Sequence, residues 1–186
     1  MIWEAVQQRA STQPNSLAFI DADGAYSYAE LLEKTQSIAQ SLSQYAGQVM
    51  GLYAGNSISW LLVDFACQIN EIVLVPLPVF FSNQQLVHAI ETAGVDVLIH
   101  SDNDRLCDLV ECLDGSPLTA NLISSSLAKP TDTQKPKQTA KITFTSGSTG
   151  QPKGVCLSNQ QQFNVADAIQ QSLHLTAGKH LSVLPF

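Results

Sequence analysis

An α/β fold, a mostly parallel sheet covered by helices, is what this sequence predicts, and three observations carry the prediction. Between residues 49 and 99, apolar runs of strand length alternate with amphipathic stretches of helical period. One of those runs, Ile72–Val75, is apolar without interruption and rich in β-branched residues, the composition of a strand buried on both faces. The length of 186 residues at 45% hydrophobic content suffices for one generous domain or two small ones, burying about 70% of the unfolded surface.

After a mixed amphipathic N-terminus, Tyr28, Leu31, Leu32, Ile38, Ala39 and Leu42 fall largely on one face of a 3.6-residue repeat, so residues 28–42 read as an amphipathic helix. Val49–Ala54 has strand composition, Gly55-Asn56-Ser57 turns the chain, and Ile58, Leu61, Leu62, Phe65, Ala66 and Ile69 keep the helical spacing over residues 58–69. Ile72–Val75 follows as a strand ended by Pro76, which completes a βαβ unit. Ser82 stands three residues before Gln85 in a capping box, Leu86, Ala89, Ile90 and Ala93 mark the helix face behind it, and Gly94 supplies a left-handed stop. Val95–Ile99 reads as the next strand, Asp104–Leu113 as a weaker helix, and Asn121–Ile123 as a short strand. Ser124–Ala140, with its serine run, Pro130 and Pro136, reads as a polar linker.

Composition excludes several classes. Sixteen acidic residues against nine basic ones leave a net charge of -7, the wrong sign for a nucleic-acid or anionic-membrane surface. The apolar run from Ile72 to Phe81 is far short of the roughly twenty residues of a membrane span and contains Pro76 and Pro78. Nothing at Met1-Ile2-Trp3-Glu4 has the order of a signal peptide, so a cytoplasmic chain is expected. Cys67, Cys107, Cys112 and Cys156 lack the paired spacing of a zinc site and read as reduced, mostly structural thiols. His88, His100, His174 and His180 show no catalytic arrangement and read as helix and loop histidines. Trp3, Trp60, Phe65, Phe80 and Phe81 read as core or interface aromatics.

Chemistry concentrates after the linker. Lys141–Thr145 has strand composition, Ser-Gly-Ser-Thr-Gly-Gln-Pro-Lys-Gly follows from Ser146, and Val155, Cys156 and Leu157 resume an apolar run. Gly147, Gly150 and Gly154 allow positive φ and close approach of backbone to a ligand, so successive N–H groups can converge on an anion. Ser146, Ser148 and Thr149 add hydroxyls, and Lys153 adds a mobile cation. The set describes a polyphosphate cradle. A Walker-type loop is excluded because Lys153 follows Pro152 and precedes Gly154, and a dinucleotide fingerprint is excluded because no G-x-G-x-x-G is present. Ser158 and Gln161 form another capping box, for a helix from about Asn159 to Leu173.

The string ITFTSGSTGQPKGV, Ile142–Val155, closely resembles the signature of the adenylate-forming enzymes, the superfamily of acyl-CoA synthetases, peptide-synthetase adenylation domains and luciferases. YSYAELLEKTQSIAQSL resembles the family's early helix, VGLYAGNSISWLLVDFACQINEIVLVPLP its next βαβ unit, and the closing LSVLPF the strand leading to the acyl-pocket region. Two positions depart from the family: Glu71 stands where a small glycine is common, and Asn159 where histidine is frequent. The resemblance implies that residues 1–186 are an incomplete N-terminal AMP-binding domain, with an α/β part at 1–123, the linker at 124–140 and the phosphate-loop segment at 141–186. It implies the N-terminal portion of the adenylate-forming fold.

The activity implied is ATP-dependent acyl activation, in which a small carboxylic acid and ATP give an acyl-adenylate and pyrophosphate and the acyl group then passes to a thiol. ATP, Mg2+ and, as acceptor, coenzyme A follow from the resemblance; no metal ligand is assigned to this chain. Thr145, Ser146, Gly147, Ser148, Thr149, Gly150, Lys153 and Gly154 are the implied nucleotide-binding residues, with Lys153 the implied catalytic one. The family's adenine-contacting segment, ribose-binding aspartate and C-terminal lysine have no counterpart before Phe186, so the chain is expected to be a fragment, inactive alone. Exposure of Phe80 and Phe81 by missing chain would favour self-association. The alternatives are an adenylation domain that loads a carrier protein, or a non-catalytic nucleotide- or partner-binding module.

Overall fold

The computed structural model of the chain describes residues 2–22, 24–101, 104–113, 115–128, 133–145, 151–175 and 178. The chain enters through α1 (Ile2–Thr12), which buries Trp3 and Ala10. A hairpin follows, β1 (Leu17–Asp21) antiparallel to β2 (Gly24–Ser27). Asp21 organises it: one carboxylate oxygen accepts the Gly24 N–H at 3.2 Å, the other the Ile58 N–H at 2.7 Å. The second bond satisfies a donor that the first turn of the helix beginning at Ile58 would otherwise leave orphaned.

Next come α2 (Tyr28–Leu42), β3 (Val49–Tyr53), α3 (Ile58–Ile69), β4 (Val73–Pro76), α4 (Asn83–Ala93), β5 (Val97–His100), the single turn α5 (Asp104–Cys107), β6 (Ser116–Pro117), β7 (Ile123–Ser126), β8 (Lys141–Thr145), β9 (Lys153–Leu157) and α6 (Asn159–Ser172). The larger sheet has seven strands in the order β6-β7-β5-β3-β4-β8-β9. Its inner members β5, β3, β4 and β8 run parallel, as the alternating pattern predicts. Both edges are antiparallel: β7 on β5, β6 on β7, and β9 on β8.

Strand residues alternate between two cores. Met50, Leu52, Leu74, Val97 and Ile99 face a layer built from α1, α2 and α3, where Trp3, Leu31, Leu42, Leu62 and Phe65 are buried. Val49, Tyr53, Val73, Val75 and Leu98 face the opposite layer with Leu86, Ala89 and Ile90 of α4, and Ile142 and Phe144 of β8 join them. Burial on both faces explains the uninterrupted apolar runs, and each fully buried aliphatic side chain is worth about 1.5–3 kcal/mol. No helix among the described residues is long and apolar enough to cross a membrane.

Several expectations shift. The strand after α4 begins at Val97 instead of Val95, because the Val95 N–H closes the helix exit by donating to the Ile90 carbonyl at 3.1 Å. The helix expected over 104–113 stops at Cys107, since Cys112 bridges Leu127 and the Leu113 N–H donates to the Ser126 carbonyl at 2.8 Å, pulling the chain toward residues 126–127. Ser124–Ser126, read as the start of a polar linker, form β7 instead. The hydroxyls of Ser124 and Ser125 are buried but paired: Ser124 Oγ donates to the Ser116 carbonyl at 3.3 Å, and Ser125 Oγ lies 3.2 Å from His100 Nε2. The aromatics divide too: Trp3, Trp60 and Phe65 are core, and Phe81 is 7% exposed, whereas Phe80 is 71% exposed.

Candidate functional site

β8 and β9 pair in continuous register from Lys141↔Leu157 to Thr145↔Lys153, so the two ends of the glycine- and hydroxyl-rich loop meet as a strand pair. The hairpin has a core face and a solvent face. Ile142 and Phe144 are buried, while Thr143 and Thr145 are exposed, the period-2 pattern of a half-covered strand. Its bond to the main sheet is confined to the base, where the Leu74 N–H donates to the Ala140 carbonyl at 2.9 Å and Leu74 registers with Lys141. From there the hairpin runs toward the loop with no further strand pairing on the β4 side among the described residues.

Two side-chain contacts fasten it. The Lys141 ammonium lies 2.9 Å from an Asp64 carboxylate oxygen and 5.4 Å from the centroid of the Trp60 ring, both on α3. Ion pair and ring together hold the root of β8 to the first helical layer. On the other layer, His88 Nε2 of α4 is 3.0 Å from the Pro152 carbonyl, the last residue before β9. With Nε2 donating to a carbonyl, Nδ1 of the neutral ring is left to accept from Thr92 Oγ1 at 3.5 Å, a long contact. A cleft of about 350 Å³ lies beside this bond, lined by Asn83, Gln84, Val87, His88, Glu91 and Gln151.

Thr145 and Lys153 therefore stand opposite each other at the loop mouth, both exposed, with Thr145 Oγ1 3.5 Å from the Lys153 carbonyl. Lys153 opens β9 instead of sitting in the loop. Gly154 corrects a second expectation: it is absent from the described glycines with positive φ and pairs with Phe144 inside the strand. Space there is tight, since a Cβ would meet Ile142 Cγ2 at 3.1 Å and Phe144 Cζ at 3.3 Å, so those side chains would have to give way by a few tenths of an ångström. Ser146, Gly147, Ser148, Thr149 and Gly150 lie outside the described residues. Asn159 is the first residue of α6, behind the Ser158 cap that accepts from the Gln161 N–H.

Sequence reasoning missed His88 and Lys141. Neither carries a local signal, because each works through a partner far along the chain: 64 residues for His88 and Pro152, 77 for Lys141 and Asp64. Cys67, in the core beneath the same ion pair, keeps its proton: burial above all, then the Asp64 charge, raises its pKa well above the ordinary thiol value.

Comparison with known proteins fits this geometry. HC-toxin synthetase of Cochliobolus carbonum is 31% identical over 98% of this chain, which spans 4% of that protein. Enterobactin synthase component F of Escherichia coli O157:H7 is 30% identical over 81% of the chain, which spans 12% of it. Among solved structures, O-succinylbenzoate coenzyme A synthetase of Bacillus subtilis in complex with ATP and magnesium ion shares the fold with a TM-score of 0.71 at 20% identity, over 94% of this chain and 47% of that one. The family described as AMP-binding enzyme matches residues 6–186, strand pair, loop and both helical layers included, and the chain belongs to that family of adenylate-forming enzymes.

Proposed function

We propose that this chain provides the phosphate grip of an ATP-dependent acyl-activating ligase, which joins a carboxylate to AMP with release of pyrophosphate and then passes the acyl group to a thiol. One observation carries the reading: the strand pair Thr145↔Lys153 sets an exposed hydroxyl and an exposed ammonium at the two ends of the signature loop. Both are donors suited to phosphate oxygens, so the residues present fit a nucleotide triphosphate. Bound ATP, with Mg2+ on its phosphates, would supply the phosphoanhydride that the first step cleaves. Lys153 would stabilise the negative charge that gathers on pyrophosphate, and Thr145 would orient an oxygen beside it. Ser146, Gly147, Ser148, Thr149 and Gly150 would add hydroxyl and backbone donors between them. The Lys141–Asp64 pair and the His88–Pro152 bond keep the hairpin ends fixed, so that charge would develop against donors already in place.

The acceptor is read here as a thiol on a carrier protein. Support comes from the relatives at 30–31% identity, long synthetases of which this chain spans 4–12%, a size at which activating and accepting parts fit on one polypeptide. Coenzyme A, which the sequence resemblance put first, is the other outcome of the test. The 186-residue chain by itself is read as inactive.

The test is carboxylate-dependent ATP–pyrophosphate exchange by the complete enzyme, followed by a search for the labelled acyl group on protein or on coenzyme A. Lys153→Ala should lower exchange turnover by about 100-fold or more, with stability within about 0.5 kcal/mol of the parent because the side chain is exposed. An unchanged exchange rate would remove Lys153 from the mechanism. Label on coenzyme A would replace the carrier reading.

A further inference from the structure

A second cluster of reactive groups lies at the end of β5, with two strands between it and the hairpin, and neither the loop nor its anchors use it. His100 is buried, and its Nδ1 is 2.7 Å from the Ser101 carbonyl. In the neutral ring that bond places the proton on Nδ1 and turns the Nε2 lone pair toward the interior. Two groups face Nε2: Ser125 Oγ at 3.2 Å and Cys107 Sγ at 3.5 Å. Cys107 Sγ is in turn only 3.0 Å from Cys112 Sγ, with both residues half-buried and both thiols free.

The fold brings these groups together on purpose-built ground. α5 ends at Cys107 after one turn, the Cys112↔Leu127 bridge carries the second cysteine back beside it, and β7 presents Ser125 from the strand next to β5. Gly115 leaves the room, since a Cβ there would meet Ser125 Oγ at 2.8 Å. The other cysteines differ: Cys67 is enclosed in the core with Met50 Sδ at 3.8 Å as its contact, and Cys156 sits in β9 opposite Ile142.

We propose that Cys107 and Cys112 are a peroxide-responsive dithiol site, at which Cys107 is oxidised with His100 as the base and Cys112 closes an intrachain disulfide. Cys107 passes its proton to His100 Nε2, and the thiolate attacks one peroxide oxygen. The O–O bond breaks, the departing hydroxide takes the proton from the imidazolium to leave as water, and Cys107 becomes a sulfenic acid. The Cys112 sulfur then attacks the Cys107 sulfur, the S–O bond breaks, and the Cys112 proton leaves with hydroxide as a second water. Two thiols and one peroxide thus give one disulfide and two waters. The sulfurs need to close by only about 1 Å to reach bonding distance. The order of attack follows from position, because Cys107 is the sulfur 3.5 Å from His100 Nε2, while burial first and then the adjoining Cys107 thiol push the Cys112 pKa up to about 12.

The experiment treats the folded chain with one equivalent of hydrogen peroxide, blocks remaining thiols by alkylation and digests with trypsin. The peptide that begins at Leu106 contains Cys107 and Cys112 and neither of the other cysteines. It should be the first to lose two hydrogens and resist alkylation, and dithiothreitol should restore it, while Cys67 and Cys156 stay alkylatable. In Cys112→Ser, a dimedone adduct should accumulate on Cys107, and His100→Gln, checked for folding by its thermal transition, should slow oxidation about tenfold or more. Oxidation appearing first at Cys156, first as a disulfide between two chains, or not at all in the Leu106 peptide would overturn the proposal.

Discussion

Glu71 leaves α3 with φ +54°, Gly94 leaves α4 with φ +64°, and His174 leaves α6 with φ +50°. All three exits close in the same way, with the following N–H donating back across the last turn: Ile72 to Cys67 at 3.0 Å, Val95 to Ile90 at 3.1 Å and Leu175 to Gln170 at 3.0 Å. Only glycine takes this left-handed conformation without a Cβ penalty of about 1–2 kcal/mol. Glu71→Gly should therefore stabilise the chain by about 0.5–1 kcal/mol after the added entropy of the unfolded glycine is subtracted, read as a higher urea midpoint at unchanged slope. The glycine that the sequence resemblance leads one to expect at this position would fit the observed φ. Gly94 could be read from the sequence because the residue itself signals the turn, whereas Glu71 could not, since its conformation is imposed by the way α3 hands over to β4. A second residue-scale prediction concerns the Lys141–Asp64 pair, which is mostly buried on both sides. Asp64→Ala strands an ammonium over Trp60 and should cost about 2–4 kcal/mol, while Asp64→Ala with Lys141→Met should recover part of that loss. Chemical denaturation of both variants decides it; equal losses would reduce the pair to a surface contact.

Helix starts were the most legible elements because their signals are local. Ser82 with Gln85 and Ser158 with Gln161 form the capping boxes that their spacing predicts, and Ser27 with Glu30 forms a third at the head of α2. In that third box the Glu30 carboxylate accepts from the Ser27 N–H at 2.8 Å and the Ser27 hydroxyl at 2.7 Å. These two bonds, backbone first, hold its pKa below the ordinary 4.5. A depressed folded-state pKa gives stability that is present above the unfolded value and lost as pH falls through the lowered one. Glu30→Gln should accordingly flatten the fall of Tm between about pH 5 and pH 3, and an unaltered pH profile would show that the cap carries no linkage. Strands at the sheet edges were less legible. β7 carries serines where a core strand carries valine, and the residues of β1 and β2 alternate only weakly in burial.

At the scale of the molecule, α6 has no buried residue, and Val165, Ile169 and Leu173, spaced four apart along it, are all exposed. Val79 and Phe80 add exposed apolar surface, whereas Phe81 packs into the core and does not. Exposed apolar surface of this kind favours association, so the 186-residue chain should sediment with a concentration-dependent mass, and Val165→Ser with Ile169→Ser should shift it toward monomer. A monomer at every concentration would refute this. The sequence by itself determined the α/β class, the inner parallel strands, the helix caps and the phosphate-loop signature, because periodicity, capping and a contiguous motif are interactions among near neighbours. Tertiary structure alone decided that the sheet has antiparallel edges, that Lys141 meets Asp64 and His88 meets Pro152, and that His100, Cys107, Cys112 and Ser125 meet in one cluster. The physical reason is range: these contacts join segments separated in sequence, and what brings them within bonding distance is the packing of two helical layers on one sheet.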